Sequence, residues 1–178
     1  MRTDWTKLDI MIDAVLRFLG DLFGSSYFGK CVIAFLVSIL PVIELRGAIP
    51  IGAALGLPGL VCTIVSILGN MLPVPFIVIF CRKVFSWMRS KSGRLKKWAD
   101  KWESSAKAKG AKLYRGELIG LIIFVAIPLP GTGAWTGAII AALLDIRLKS
   151  ALPSILAGVI IAGIVVAGIT YGFKSLIA

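Results

Sequence analysis

The chain contains no histidine, which removes imidazole-based catalytic triads and histidine zinc sites from consideration. It has 9 acidic residues and 3 cysteines. Cys31, Cys62 and Cys81 each lie in or at the end of an apolar run. Such thiols behave as small hydrophobes, and three without close pairing make no disulfide framework. Charge is scarce as well, at 16% of 178 residues. Apolar side chains fill the chain instead, with 58% hydrophobic residues against roughly 45–50% in a soluble protein. Mean hydropathy is +0.92. A soluble domain of this size must keep a large part of its residues in water. That class is excluded, and an integral membrane protein is expected.

Net charge is +11, from 20 bases, and its placement decides what it means. Residues 82–117 hold twelve of the bases against only Asp100, Glu103 and Glu117, whereas residues 1–24 carry three bases and four acids. A Lys/Arg excess beside apolar spans marks the cytoplasmic side, so the 82–117 segment is expected to face anionic lipid head groups there. Trp87, Trp98 and Trp102 fit an amphipathic, interfacial segment. No groove-reading module accompanies the charge, and nucleic acid is not an expected partner. The acids of residues 1–24 do not suit a cleavable leader, so insertion is expected to rest on the later spans.

Along the chain, residues 5–23 read as an amphipathic helix. Asp9, Asp13, Arg17 and Asp21 recur every four residues as a polar stripe. Its place is either in the interface or against the bundle. Residues 31–43 are uncharged but, as a helix, would rise only about 20 Å, short of a roughly 30 Å hydrocarbon core. Pro41-Val42-Ile43-Glu44-Leu45-Arg46-Gly47-Ala48-Ile49-Pro50 follows, then a second short apolar run and a Pro58-Gly59 turn. Two half-length limbs around a charged tip suggest a re-entrant hairpin over 30–58, followed by a crossing helix over 59–81. After the basic segment the pattern returns. A limb from 118 is broken at Pro128-Leu129-Pro130-Gly131-Thr132-Gly133, the hairpin closes near 145, and a complete span covers 151–172.

The competing reading makes 118–144 one straight helix. A Pro-x-Pro-Gly in its middle opposes that, as does the placement of Arg147 and Lys149, which only a hairpin returns to the basic side. The expected fold is therefore an all-α integral membrane protein. It is an inverted repeat of re-entrant hairpin plus transmembrane helix, with amphipathic interfacial helices, in four parts: 1–27, 28–81, 82–117 and 118–178. In such repeats discontinuous helices place a substrate site near the midplane.

Candidate site residues lie at the breaks. Glu44 and Arg46 are the only charges between Lys30 and Arg82, and charges at membrane depth usually face a cavity or each other. In extended chain at a tip the two would point the same way. They are then either a neutralised pair fixing the hairpin, or an anion-binding Arg46 beside a proton-exchanging Glu44. The second limbs begin near Gly47 and Gly133, where free N–H groups suit an anion. Thr132 is placed as an N-cap or a substrate contact. Pro50, Pro130, Gly131 and Trp135 complete the set, and Asn70 is a helix-break contact near Pro73 and Pro75. No catalytic residue, metal or cofactor is expected.

The stretches Glu44-Leu45-Arg46-Gly47-Ala48-Ile49-Pro50 and Pro128-Leu129-Pro130-Gly131-Thr132-Gly133-Ala134-Trp135-Thr136-Gly137-Ala138 resemble the two signatures of the Putative small multi-drug export protein family of prokaryotic membrane proteins. The resemblance spans about residues 28–172. It implies export of small molecules across the inner (cytoplasmic) membrane and supports Glu44 and Arg46 as site residues. The arrangement is also similar to the DedA-like group, associated with re-entrant hairpins and with moving lipids or lipid-linked phosphates. Three functions are carried forward. The leading one is alternating-access export of a small amphiphilic or anionic substrate with proton coupling. The others are lipid flipping or scrambling and a non-transporting structural role. An enzyme is least favoured, because one Glu and one Arg without a nucleophile–base pair is a poor catalytic set. Homo-oligomerisation is left open.

Overall fold

The computed structural model describes residues 26–90, 116–129 and 131–172. Seven helices occur among them: α1 (Tyr27–Ile39), α2 (Glu44–Ala54), α3 (Gly59–Met71), α4 (Val74–Ser90), α5 (Gly116–Ala126), α6 (Ala134–Leu143) and α7 (Leu148–Tyr171). No strand occurs among the described residues. The expected helix over 5–23, residues 91–115 of the basic segment and Pro130 lie outside the described residues.

The sequence sets most of the helix boundaries directly. Ser26 caps α1 by accepting the Gly29 N–H at 3.1 Å, one of the orphan donors of a first turn. Pro41 follows shortly after the end of α1. Residues 118–144 are not one rod: α5 ends at Ala126 and α6 starts at Ala134, with Pro128 between them. Pro73 and Pro75 cannot donate to the carbonyls one turn back, and α3 ends at Met71, just before them. The Leu72 N–H turns to Leu68 and Gly69 instead, at 3.2 and 3.3 Å. Across that bend Gly59–Trp87 still reads as one apolar stretch of 29 residues. Helix α4 therefore runs beyond residue 81, the expected end of the span. With α7, the described chain has two helices long and apolar enough to cross a membrane; α7 alone extends about 36 Å.

Packing explains why these helices associate. Outward faces are apolar at helical spacing: Leu60, Ile64 and Leu68 on α3; Ile119 and Ile123 on α5; Ile160, Ile164 and Val165 on α7, with Ile169 77% exposed. Many inward positions are alanine, including Ala34, Ala48, Ala134, Ala138, Ala141, Ala151, Ala162 and Ala167, set among larger buried groups such as Leu45, Ile49, Ile146 and Ile155. Large apolar groups outside and many small ones inside suit a lipid solvent, where close backbone approach replaces hydrophobic drive. Helices α1, α2 and α3 pack on one another, α4 packs on α6, and α7 touches α2, α3, α4 and α6. Another helix's backbone comes closest at Gly69 and Gly158. A Cβ at Gly69 would run into Ser38 Oγ and the Phe35 carbonyl of α1, and one at Gly158 would lie 2.8 Å from the Ile122 carbonyl of α5.

Three contacts define the ends of the bundle. Lys30 Nζ lies 4.0 Å from a Cβ built at Gly56, so the start of α1 meets the end of α2. The Tyr171 hydroxyl donates to the Leu57 carbonyl at 3.0 Å, bringing the end of α7 to the same level. At the other end, Arg82 of α4 donates to the Ile146 carbonyl and lies 3.8 Å from Asp145, in the turn that joins α6 to α7.

Candidate functional site

Between those two ends, the break joining α1 to α2 meets the break joining α5 to α6. Sequence reasoning expected extended chain from Glu44 to Gly47. The structure instead starts α2 at Glu44, which adopts a left-handed backbone (φ 50°). The chain turns over Leu40–Ile43, where the Glu44 N–H donates to the Leu40 carbonyl at 2.9 Å, and becomes helical at once. Glu44 and Arg46 are thus the first and third residues of a helix. They are not paired with each other at salt-bridge distance.

Both side chains reach the other break. Glu44 is 5% exposed, and its Oε1 accepts the Trp135 N–H at 3.2 Å. Its carboxylate lies so close to Gly133 that a Cβ there would collide with it. The anion therefore sits on the N-terminus of α6, where unsatisfied N–H groups and the positive dipole end favour it. Arg46, half-buried, does the converse. Its guanidinium donates to the Leu129 carbonyl, to the Ile127 carbonyl at 3.0 Å and to Thr132 Oγ1 at 3.2 Å. Those carbonyls follow the last turn of α5, the negative dipole end, which a cation complements. The planar fork of arginine suits a cluster of acceptors that a lysine point charge would meet singly.

Thr132 is not the N-cap of α6. That position belongs to Gly133, which has no side-chain cap. The Thr132 hydroxyl folds back instead, 2.7 Å from the Ile127 carbonyl and 2.9 Å from that of Leu129, while its oxygen receives Arg46. Glu44, from 91 residues upstream, supplies the cap. Trp135 locks the junction a second time, because its indole N–H donates to the Ile39 carbonyl at the end of α1, at 3.1 Å.

Among the described residues, the other expected ones make none of these contacts. Gly47 packs against the Ile43 side chain, Pro50 is exposed within α2, and Gly131 is exposed in a left-handed conformation (φ 85°). Asn70 is fully buried on α3, away from the junction's hydrogen bonds. Among the described residues no group of three or more Cys, Asp or Glu could hold a metal ion. Sequence reasoning missed the acceptors of Arg46, which are main-chain carbonyls and carry no side-chain signal. It also missed the Arg82 and Tyr171 contacts that fix the two ends.

Beside the junction, a cavity of about 600 Å³ is lined only by apolar atoms, among them Ile39, Leu72, Pro73, Phe76, Phe80, Trp135 and Ile139. That volume lies within the roughly 300–1,000 Å³ typical of small-molecule sites. Phe76 and Phe80 of α4 line it, and so does Trp135, whose N–H groups hold the junction closed.

The motif pair at this junction carries the comparison with known proteins. Residues 44–165 match the family described as Putative small multi-drug export protein, and the chain belongs to that family. No curated protein and no solved structure matches it.

Proposed function

We propose that the chain is a small membrane exporter working by alternating access. The α1–α2 and α5–α6 pairs are re-entrant hairpins inserted from opposite faces as an inverted repeat, and the Glu44–Arg46 junction is the closed gate between them. The observation that carries this reading is the reciprocal clasp: the carboxylate of one break caps the α6 N-terminus and the guanidinium of the same break holds the carbonyls after α5. The end contacts support the topology. Lys30, Gly56 and Tyr171 share one level while Arg82 and Ile146 share another, so the two hairpins open toward different ends. The family description supports export, and the excess of Lys and Arg over residues 82–117 supports an Arg82 end facing the cytoplasm of a prokaryotic inner membrane.

The clasp also suggests how protons enter. An ionised carboxylate stripped of its N–H donors in a dry core is costly, so opening the gate is coupled to neutralising Glu44. In proteoliposomes loaded with fluorescent amphiphiles, Glu44→Gln should abolish movement driven by a pH gradient while the protein stays folded. Unchanged pH-driven flux would remove Glu44 from the mechanism. Loss of folding without any flux in the parent chain would support a structural role instead.

One observation favours a second reading, lipid flipping or scrambling: the cavity at Trp135 is wholly apolar and lined by the exposed Phe76 and Phe80 of α4, as a path for an acyl chain would be. A fluorescent-phospholipid translocation assay separates the two. Lipid movement no faster than in empty liposomes rejects it.

A further inference from the structure

The buried face of α3 is polar, which is unusual for an apolar helix inside a lipid-facing bundle. It carries Cys62, Thr63, Ser66 and Asn70, all at most 7% exposed, and Ser38 of α1 abuts it at Gly69. Three of these groups have partners: Thr63 donates to the Gly59 carbonyl at 2.7 Å, Ser38 to that of Phe35 at 2.7 Å, and the Cys62 thiol to the Ile49 carbonyl of α2 at 3.6 Å. Asn70 has none. Its side chain is 0% exposed, and neither its amide nitrogen nor its amide oxygen has a hydrogen-bond partner. The Ser66 hydroxyl, one turn below on the same face, is also 0% exposed and has no partner beyond the neighbouring Cys62 thiol. A buried amide left unpaired loses its hydration and gains nothing in return. The conformation that buries it is therefore disfavoured at this point relative to one that wets it.

We infer that this stripe is the collapsed wall of a water-accessible half-pathway that opens toward the end bearing Tyr171, and that Ser66 and Asn70 receive the uncharged hydrogen-bonding portion of the cargo. The stripe runs from that end, where Tyr171 packs on Gly59, to the level of the last turn of α1, just short of the Glu44 junction. It carries no charged side chain, so it suits hydroxyl, amide or water ligands, which both donate and accept as Asn70 does. The inference rests on the alternating-access reading, because only a second conformation lets water reach these atoms.

The test uses a membrane-impermeant methanethiosulfonate on Ser66→Cys and Asn70→Cys, in a chain whose Cys31, Cys62 and Cys81 are replaced by alanine. Ile155→Cys, equally buried on α7, is the control. In sealed vesicles both positions should react at least tenfold faster than Ile155→Cys, and only from the face bearing Tyr171. Rates equal to the control in both vesicle orientations, or reaction only from the Arg82 face, overturn the inference. Should the cysteine variants fail to fold, Asn70→Leu in the otherwise native chain decides. Removing an unpaired buried amide should leave the thermal midpoint unchanged or raise it, whereas a fall of more than about 5 °C means the amide is structural and overturns the inference. Flux unaffected by Glu44→Gln, with labelling retained, would count against the proton-coupled gate and not against this pathway.

Discussion

The two breaks are alike in hydropathy and opposite in chemistry. The first, Pro41 to Arg46, carries both charges; the second, Ile127 to Gly133, carries none and presents backbone groups and the Thr132 hydroxyl. Neither is complete alone. Helix α6 begins with no side-chain cap and α5 ends on carbonyls without helical donors, while Glu44 and Arg46 would be isolated charges in an apolar bundle. Each break supplies what the other lacks, with the anion at a positive dipole end and the cation at a negative one. A site assembled from one set of side chains and one set of peptide groups can be taken apart from either side, and the two sides should fail differently.

The largest effect is expected on removing the cation. Arg46→Ala removes the charged donor from the Ile127 and Leu129 carbonyls and from Thr132, leaving the two carbonyls only the Thr132 hydroxyl and nearby N–H groups, and leaves Glu44 without a neighbouring positive charge. Charged hydrogen bonds contribute about 1.5–3 kcal/mol each, and these are made at a half-buried guanidinium. A loss of roughly 3 kcal/mol is expected, read as a lowered unfolding midpoint in detergent. Arg46→Lys should recover part of it, because one ammonium reaches fewer acceptors than the guanidinium fork. Full recovery by lysine would mean that charge alone, not the fork, matters.

Next comes the backbone side. A Cβ at Gly133 collides with the Glu44 carboxylate, and the local backbone is extended (φ −151°), so space alone requires glycine there. Gly133→Ala is expected to cost about 1–3 kcal/mol and to expel Glu44 from the α6 N-terminus. Paired with Glu44→Ala, it should become nearly neutral, since the colliding group is gone. Simple additivity of the two substitutions would place the carboxylate elsewhere. Glu44→Gln is milder. The amide oxygen can still accept the Trp135 N–H, and only the charge–dipole part, about 0.3–1 kcal/mol and up to about 2 when partly buried, is lost. A large drop in pH-driven flux against so small a change in stability would separate gating from folding.

How far the sequence reveals this arrangement depends on the kind of signal. Pro41, Pro73, Pro75 and Pro128 mark breaks because proline acts on the backbone locally, and the helices break beside each of them. Alternating apolar content likewise reveals α7. Glu44 and Arg46 stand out because charge in an apolar run is rare. Their partners do not, since Ile127 and Leu129 contribute carbonyls that every residue has. The start of α2 is also hidden. Helix propensity says nothing of the left-handed turn at Glu44 that lets a helix begin immediately. Thr132 shows a third limit. A threonine before a helix reads as its cap, and only the distant carboxylate, already occupying the N–H groups, turns its hydroxyl back toward Arg46.

The smallest expected effect compares the one left-handed residue at each break. At the second it is Gly131 (φ 85°), with open space where a Cβ would go; at the first it is Glu44 (φ 50°). Glycine adopts this region freely, whereas an L side chain gives up about 1 kcal/mol or more. Gly131→Ala should therefore cost about 1 kcal/mol through the backbone alone, with no clash. At Glu44 the strain is already present, held in place by the hydrogen bond to Trp135 and the closeness of Gly133. Glu44→Gly should accordingly be less destabilising than Glu44→Ala, by about 1 kcal/mol, although both lose the cap equally. Equal unfolding midpoints for the two would mean that the backbone at residue 44 relaxes out of the left-handed region once the carboxylate is gone. The turn would then be a product of the clasp, not a precondition for it.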